Sequence, residues 1–169
     1  MNNKIVINQP YIKNQPEGRS RLCSEIEYNG KMFELWYETS KEYDDFLCYE
    51  RADAFVVNIL LFAMEHSCDI LCKCEMTTKL YYQLTTYLIP CISQNIKKYS
   101  HININAKLTS SPLNCAGAIG TGISGGVDSF YTLIKHINQP EEHKLTHLVF
   151  CNAGTNGDMG GGGGKKNIS

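Results

Sequence analysis

The sequence predicts an α/β protein: a small N-terminal α+β domain over residues 1–110, the start of a nucleotide-type βαβ domain over 111–156, and a flexible glycine-rich tail at 157–169. Three observations predict it. The stretch Gly120-Thr121-Gly122-Ile123-Ser124-Gly125-Gly126-Val127-Asp128-Ser129 joins an extended, small-residue segment to an amphipathic helix. An Asn29-Gly30 dipeptide separates two runs of strand-forming residues. Between these landmarks, apolar residues recur first with helical and then with strand period, twice over.

Taken in order, Lys4 to Ile12 holds a short strand, Ile5-Val6-Ile7, which Pro10, Pro16 and Gly18 interrupt. Leu22–Tyr28 and Lys31–Tyr37 then form a hairpin, because Asn and Gly suit the two positive-φ positions of a type I′ turn. Trp36 alternates with Glu34 and Glu38 and is expected to be half exposed, with packing favoured over a substrate-stacking role. Lys41 to Arg51 is a charged connector. The stripe Ala52, Phe55, Val56, Ile59, Leu60 and Ala63 predicts a helix over about 52–66.

Residues 69–76 alternate, with Ile70, Cys72, Cys74 and Met76 on one side, which is strand period. Thr77 or Thr78 can cap the next helix, whose stripe is Leu80, Leu84, Tyr87, Leu88 and Ile92. Pro90 should kink that helix or end its regular part. Ile102, Ile104, Ala106 and Leu108 alternate as a further strand, and Thr109–Leu113 reads as a linker. Beyond it, Cys115 to Ile123 is extended. Phe130, Leu133, Ile134 and Ile137 form one helical face that Pro140 stops, and Leu148-Val149-Phe150-Cys151 reads as a buried parallel strand.

Composition narrows the function classes. At 43% hydrophobic and 20% charged, the chain is globular material, and a net charge of −1 gives no broad electrostatic case for nucleic acid or membrane. The N-terminus lacks a signal-peptide hydrophobic region, and the apolar stretch Phe55–Met64 is too short to span a bilayer. A cytoplasmic protein with reduced thiols is therefore expected. Of the eight cysteines, Cys68, Cys72 and Cys74 lie close together, but no second ligand pair follows, so they read as core rather than zinc ligands. His143 and His147 lead into a strand and do not suggest a metal pair, and His136 is a surface residue near a helix C-terminus.

The chemistry concentrates in the glycine loop. Gly125 and Gly126 let a ligand approach the main chain, and the amides that begin the following helix lack partners at its positive end. An anion is expected there. Ser124 and Ser129 add hydroxyls. Asp128 would repel a phosphate unless a cation lay between them, which points to Mg²⁺. The plainer alternative is that Asp128 or Ser129 caps the helix and the glycines only make a turn. Two rival loops fit less well. Gly120, Gly122 and Gly125 match G-x-G-x-x-G, but the second strand ends Cys151-Asn152-Ala153-Gly154 without the acid that binds ribose. A Walker A loop at Gly160–Lys165 is excluded by Met159 and Lys166 at its required Gly and Ser/Thr positions.

Ser124 to Ser129 spell SGGVDS. In this the chain resembles the PP-loop ATP pyrophosphatases (adenine nucleotide alpha hydrolases), a superfamily that includes NAD, GMP, asparagine and argininosuccinate synthetases, tRNA thiolation and lysidine enzymes, and 7-cyano-7-deazaguanine synthases. The clear similarity covers residues 116–151. It implies a Rossmann-like, HUP-type parallel sheet, with ATP and Mg²⁺ as the bound groups. It implies ATP cleavage between the α- and β-phosphates, adenylation of a small-molecule substrate, and displacement of AMP by a nucleophile such as ammonia or sulfur. Position by position, Ser124, Gly125, Gly126 and Ser129 would hold the pyrophosphate portion, with Val127 between them in the loop. Asp128 would act with the metal, and backbone at Ile123 and at Phe150, Cys151 and Asn152 would meet adenosine.

The long N-terminal domain argues against a 7-cyano-7-deazaguanine synthase; it could bind substrate or form a homo-oligomer contact. A thiolating enzyme should carry a catalytic cysteine further on, while Cys115 and Cys151 also suit buried strand positions. Normal α/β domain sizes lead one to expect roughly a hundred further residues, so the chain is expected to be an N-terminal fragment. A non-catalytic nucleotide-binding module or an inactive truncated product is the alternative expectation.

Overall fold

The structure, a computed structural model, describes residues 4–113, 119–140 and 144–149. It is a mixed α/β chain that divides into two units, Met1–Leu113 and Asn114–Ser169.

Unit 1 is built on one mixed sheet. Its strands are β1 (Lys4–Ile7), β2 (Tyr11–Gln15), β3 (Arg19–Tyr28), β4 (Lys31–Ser40), β5 (Asp69–Thr77) and β6 (Ile104–Thr109). The order is β2-β3-β1-β5-β6, with β4 on the other side of β3. β3 runs antiparallel to β1, β2 and β4, whereas β1–β5 and β5–β6 are parallel. The β3–β4 hairpin closes as the Asn29-Gly30 signal predicts: both turn residues have positive φ, 51° and 71°. Both strands are longer than the apolar pattern indicated, because paired charges on the solvent face extend them. Arg19 and Arg21 hold Glu38 at 2.7 Å each, and Lys13 holds Glu34 at 3.0 Å. β2 is an element that Pro10 and Pro16 concealed; both prolines flank it and leave its ladder to β3 intact.

Helix α1 (Asp53–Glu65) buries the predicted stripe. Phe55, Val56, Ile59, Leu60, Ala63 and Met64 pack on Ile5, Ile7, Leu22, Ile26, Ile70, Cys72, Cys74 and Met76 in one core. The same core takes Leu84 and Ile89 from the second helical segment. Both helical segments thus pack into one core with the sheet. That second segment is α2 (Thr78–Gln83), a π turn (Leu84–Leu88) and α3 (Ile89–Asn95). Pro90 lacks the N–H that an α-helix needs and crowds the preceding turn, and the wider π turn just before it accommodates both defects.

Two sequence expectations need correction. Thr77 does stand at the N-cap of α2, but its side chain makes no capping bond. Its hydroxyl donates to Asp53 instead. Ile102 is buried yet precedes β6, which begins at Ile104, and Leu108 is largely exposed because β6 is the edge of the sheet. The charged connector holds a 3-10 turn over Lys41–Phe46.

Unit 2 contains a βαβ unit: β7 (Gly120–Gly122), α4 (Val127–His136) and β8 (His147–Val149). β7 and β8 pair in parallel, Gly120 with His147, Thr121 with Leu148 and Gly122 with Val149. The predicted extension of these strands through Cys115 and through Phe150-Cys151, together with Asn152, His143 and the 157–169 tail, lies outside the described residues.

Candidate functional site

The loop between β7 and α4 occupies the C-terminal end of a parallel strand, where α/β sheets place ligands. Ile123 still belongs to the ladder, its N–H donating to Val149 O at 3.0 Å. The chain then turns sharply at Gly125, whose φ of +78° a side chain would resist, with open space where a Cβ would stand. Gly126 follows as the N-cap of α4.

Two hydroxyls close the loop on itself. Ser124 Oγ and Ser129 Oγ lie 2.8 Å apart, and Ser129 Oγ accepts the Ser124 N–H at 3.0 Å. The Gly126 N–H points at Ser124 Oγ from 3.4 Å. A residue five positions away is thereby held against the loop by one turn of helix, which is why serine recurs at both ends of the hexapeptide.

The start of α4 is open. No side chain caps it, and the first helical bond in its opening turn runs from Phe130 N–H to Gly126 O at 3.2 Å. The plain capping role weighed for Asp128 and Ser129 is therefore not what their side chains do. Asp128 lies in the first turn, exposed and, among the described residues, without a hydrogen-bond or ion-pair partner. A carboxylate at that end interacts favourably with the helix dipole. Lys135 and His136 stand in the last turn, at the end that favours positive charge. Val127, the first residue of α4, is solvent-exposed. Ile123, Ser124, Gly125, Gly126, Val127, Asp128 and Ser129 thus form one contiguous feature, while Cys151 and Asn152 fall outside the described residues.

The donor set suits a magnesium–phosphate group. One free carboxylate at the helix start and two hydroxyls on the loop are the kind of set that Mg²⁺ shares with phosphate oxygens. Among the described residues no cluster of three His, Cys, Asp or Glu side chains could hold a metal on protein ligands alone.

In unit 1, the cysteines considered as ligands are core residues: Cys68, Cys72 and Cys74 are buried free thiols. Burial pushes the Cys72 thiol up to about 12 and that of Cys74 to about 11, which keeps both protonated and unreactive. Trp36 is half exposed, with the Arg21 guanidinium 3.8 Å from its ring centre.

Sequence reasoning missed a polar network where α1 begins. Arg51, only 8% exposed, donates to Thr77 Oγ1 at 2.9 Å and to Ser111 O. Asp53 accepts the Thr77 N–H at 2.9 Å as well as its hydroxyl. Arg51 reads in sequence as the end of a charged connector, and the pairing of Arg51 and Asp53 with residues 24 or more positions away is a tertiary property.

No protein-family model matches the chain, and no curated protein matches it at a significant level. Among the described residues, no helix is long and apolar enough to cross a membrane.

Proposed function

We propose that the chain is a cytoplasmic PP-loop protein that binds ATP with Mg²⁺ at Ser124–Ser129, as part of an enzyme that adenylates a small molecule and releases pyrophosphate. Its βαβ unit is then the opening of a Rossmann-like, HUP-type sheet. One observation carries the proposal: SGGVDS stands at the junction of a parallel strand and an uncapped helix, with a positive-φ glycine at its turn.

When bound, ATP supplies an activated α-phosphorus: a substrate oxygen attacks it, the bond to the bridging oxygen breaks, and pyrophosphate leaves. The loop residues bind and orient. The free amides at the start of α4 and the hydroxyls of Ser124 and Ser129 would hold the phosphate oxygens. Asp128 would hold Mg²⁺, whose charge would offset that of the phosphates. The Ile123 N–H is taken by the ladder, so its carbonyl is the group left to meet the adenine.

Isothermal titration of ATP with Mg²⁺ into the chain tests this. Binding should weaken about tenfold or more in Asp128→Ala, as expected for loss of a carboxylate that shares its cation with phosphate. Ser124→Ala should slow pyrophosphate release. Unchanged binding in both variants, or no binding by a chain that circular dichroism shows to be folded, overturns the proposal. Binding without pyrophosphate release identifies a non-catalytic nucleotide module instead.

A further inference from the structure

The sheet of unit 1 opens in its interior, at β5. Between Leu71 and Glu75, β5 takes four steps while β6 takes two, from Asn105 to Lys107. On the other side, the ladder to β1 stops with Ile7 opposite Cys72, and β5 next meets the chain at a single bridge between Arg51 and Glu75. Among the described residues, Lys73 and Cys74 thus have no residue in register on either side. A bulge of this kind re-aims side chains and is common beside functional sites.

The opening has the position of a ligand crevice. β1 and β5 are parallel neighbours, and the chain leaves β1 toward β2 on one side of the sheet and β5 toward β6 on the other. Connections that part in this way leave a crevice at the carboxyl ends of the strands. A hollow of about 470 Å³ lies there, lined by Gln9, Tyr49, Glu50, Lys73, Glu75 and Lys107. That volume is within the usual range of small-molecule pockets. Cys72, Cys74 and Met76 belong to the core, so Lys73 and Glu75 alternate onto the opposite face of the sheet.

The charges around the hollow are of two kinds. Lys107 and Glu75 hold each other at 2.7 Å and cancel. The Gln9 amide donates to Tyr49 O at 2.7 Å and ties the end of β1 to the facing wall. Lys73 and Glu50 are exposed, and among the described residues neither charged group has an ion-pair or hydrogen-bond partner. One uncancelled cation and one uncancelled anion therefore border the same hollow.

We propose that this hollow binds a small zwitterion, a free α-amino acid, with its carboxylate on Lys73 and its ammonium on Glu50. The two unpaired charges complement that ligand and no singly charged one: a lone anion would face Glu50, and a lone cation would face Lys73. Nucleotide binding plays no part in this inference.

In ¹H–¹⁵N correlation spectra of the full chain, at least one of the standard L-amino acids, added singly, should shift the amides of Gln9, Glu50 and residues 73–75 saturably, with a Kd below about 10 mM. Acetate and methylamine, each carrying one of the two charges, should bind at least about tenfold more weakly. Lys73→Ala and Glu50→Gln, both at exposed positions, should each weaken the amino acid about tenfold. Asp128→Ala should leave its Kd unchanged, which separates this hollow from the glycine loop. No saturable shift from any amino acid, acetate binding as tightly as the amino acid, or a Kd that Lys73→Ala and Glu50→Gln both leave unchanged overturns the inference.

Discussion

The two units use their apolar residues in opposite ways. In unit 1, Phe55, Ile5, Ile7, Met64, Ile70 and Ile89 are fully buried in one core. In unit 2, the predicted buried face of α4 is open: Phe130, Ile134 and Ile137 are 49%, 71% and 46% exposed, and Leu148 and Val149 on β8 are half exposed. The local geometry of unit 2 is nonetheless ordered in the same elements that its sequence predicts. A domain core needs long-range packing. The proposed nucleotide loop sits in the unit held by the motif, and the buried core sits in the unit held by packing.

Seven substitutions break or sharpen that contrast. Phe55→Ala should lower the unfolding free energy by about 3–5 kcal/mol in urea titration, because it empties the centre of the unit 1 core. Ile134→Ala on α4 should change it by less than about 0.5 kcal/mol. A comparable loss from both would show that α4 is packed as tightly as α1.

Asp53→Ala should cost about 1–3 kcal/mol by the same titration, because the Thr77 N–H and hydroxyl lose their acceptor. Asp128→Ala, an acid in the first turn of the other unit's helix, should be near neutral for stability and felt in ligand binding.

The buried thiols predict alkaline sensitivity in unit 1. Cys72 rises in the fold from an ordinary 9.0 to about 12. A raised folded value means stability that is full below pH 9 and is lost as pH climbs toward 12, because the unfolded chain releases the proton first. Cys72→Ala should flatten the decline in unfolding free energy by up to about 2 kcal/mol near pH 10.5, read as the difference in slope between variant and parent.

Gly30→Ala should cost about 1 kcal/mol, since Gly30 turns the hairpin at φ +71°. Gly125→Ala carries the same strain at φ +78° but should leave the unfolding of unit 1 unchanged by denaturant titration.

Much was legible before the structure because it depended on local rules. The alternation of Ile70, Cys72, Cys74 and Met76 placed a strand and identified its buried face, and the stripe of α1 did the same for a helix. Asn29-Gly30 marked a hairpin because few residues accept positive φ. Ser124 to Ser129 placed a turn before a helix because glycine and serine suit that junction. What stayed hidden depended on partners far along the chain. β2 exists only because β3 pairs with it, and its flanking prolines read as breakers. Thr77 gives up its capping bond because Asp53 lies closer in space than in sequence. The edge positions of β4 and β6 are properties of strand order, which no residue encodes alone.

The sequence by itself determined most of the helices and strands, the division into two units and the donor groups of the loop, since periodicity, turn propensity and residue type are local quantities. Tertiary structure alone decided which strands are edges, which polar groups are buried together and which apolar faces remain uncovered. Those outcomes are set by burial and pairing between distant segments, where the free energy depends on what each surface meets.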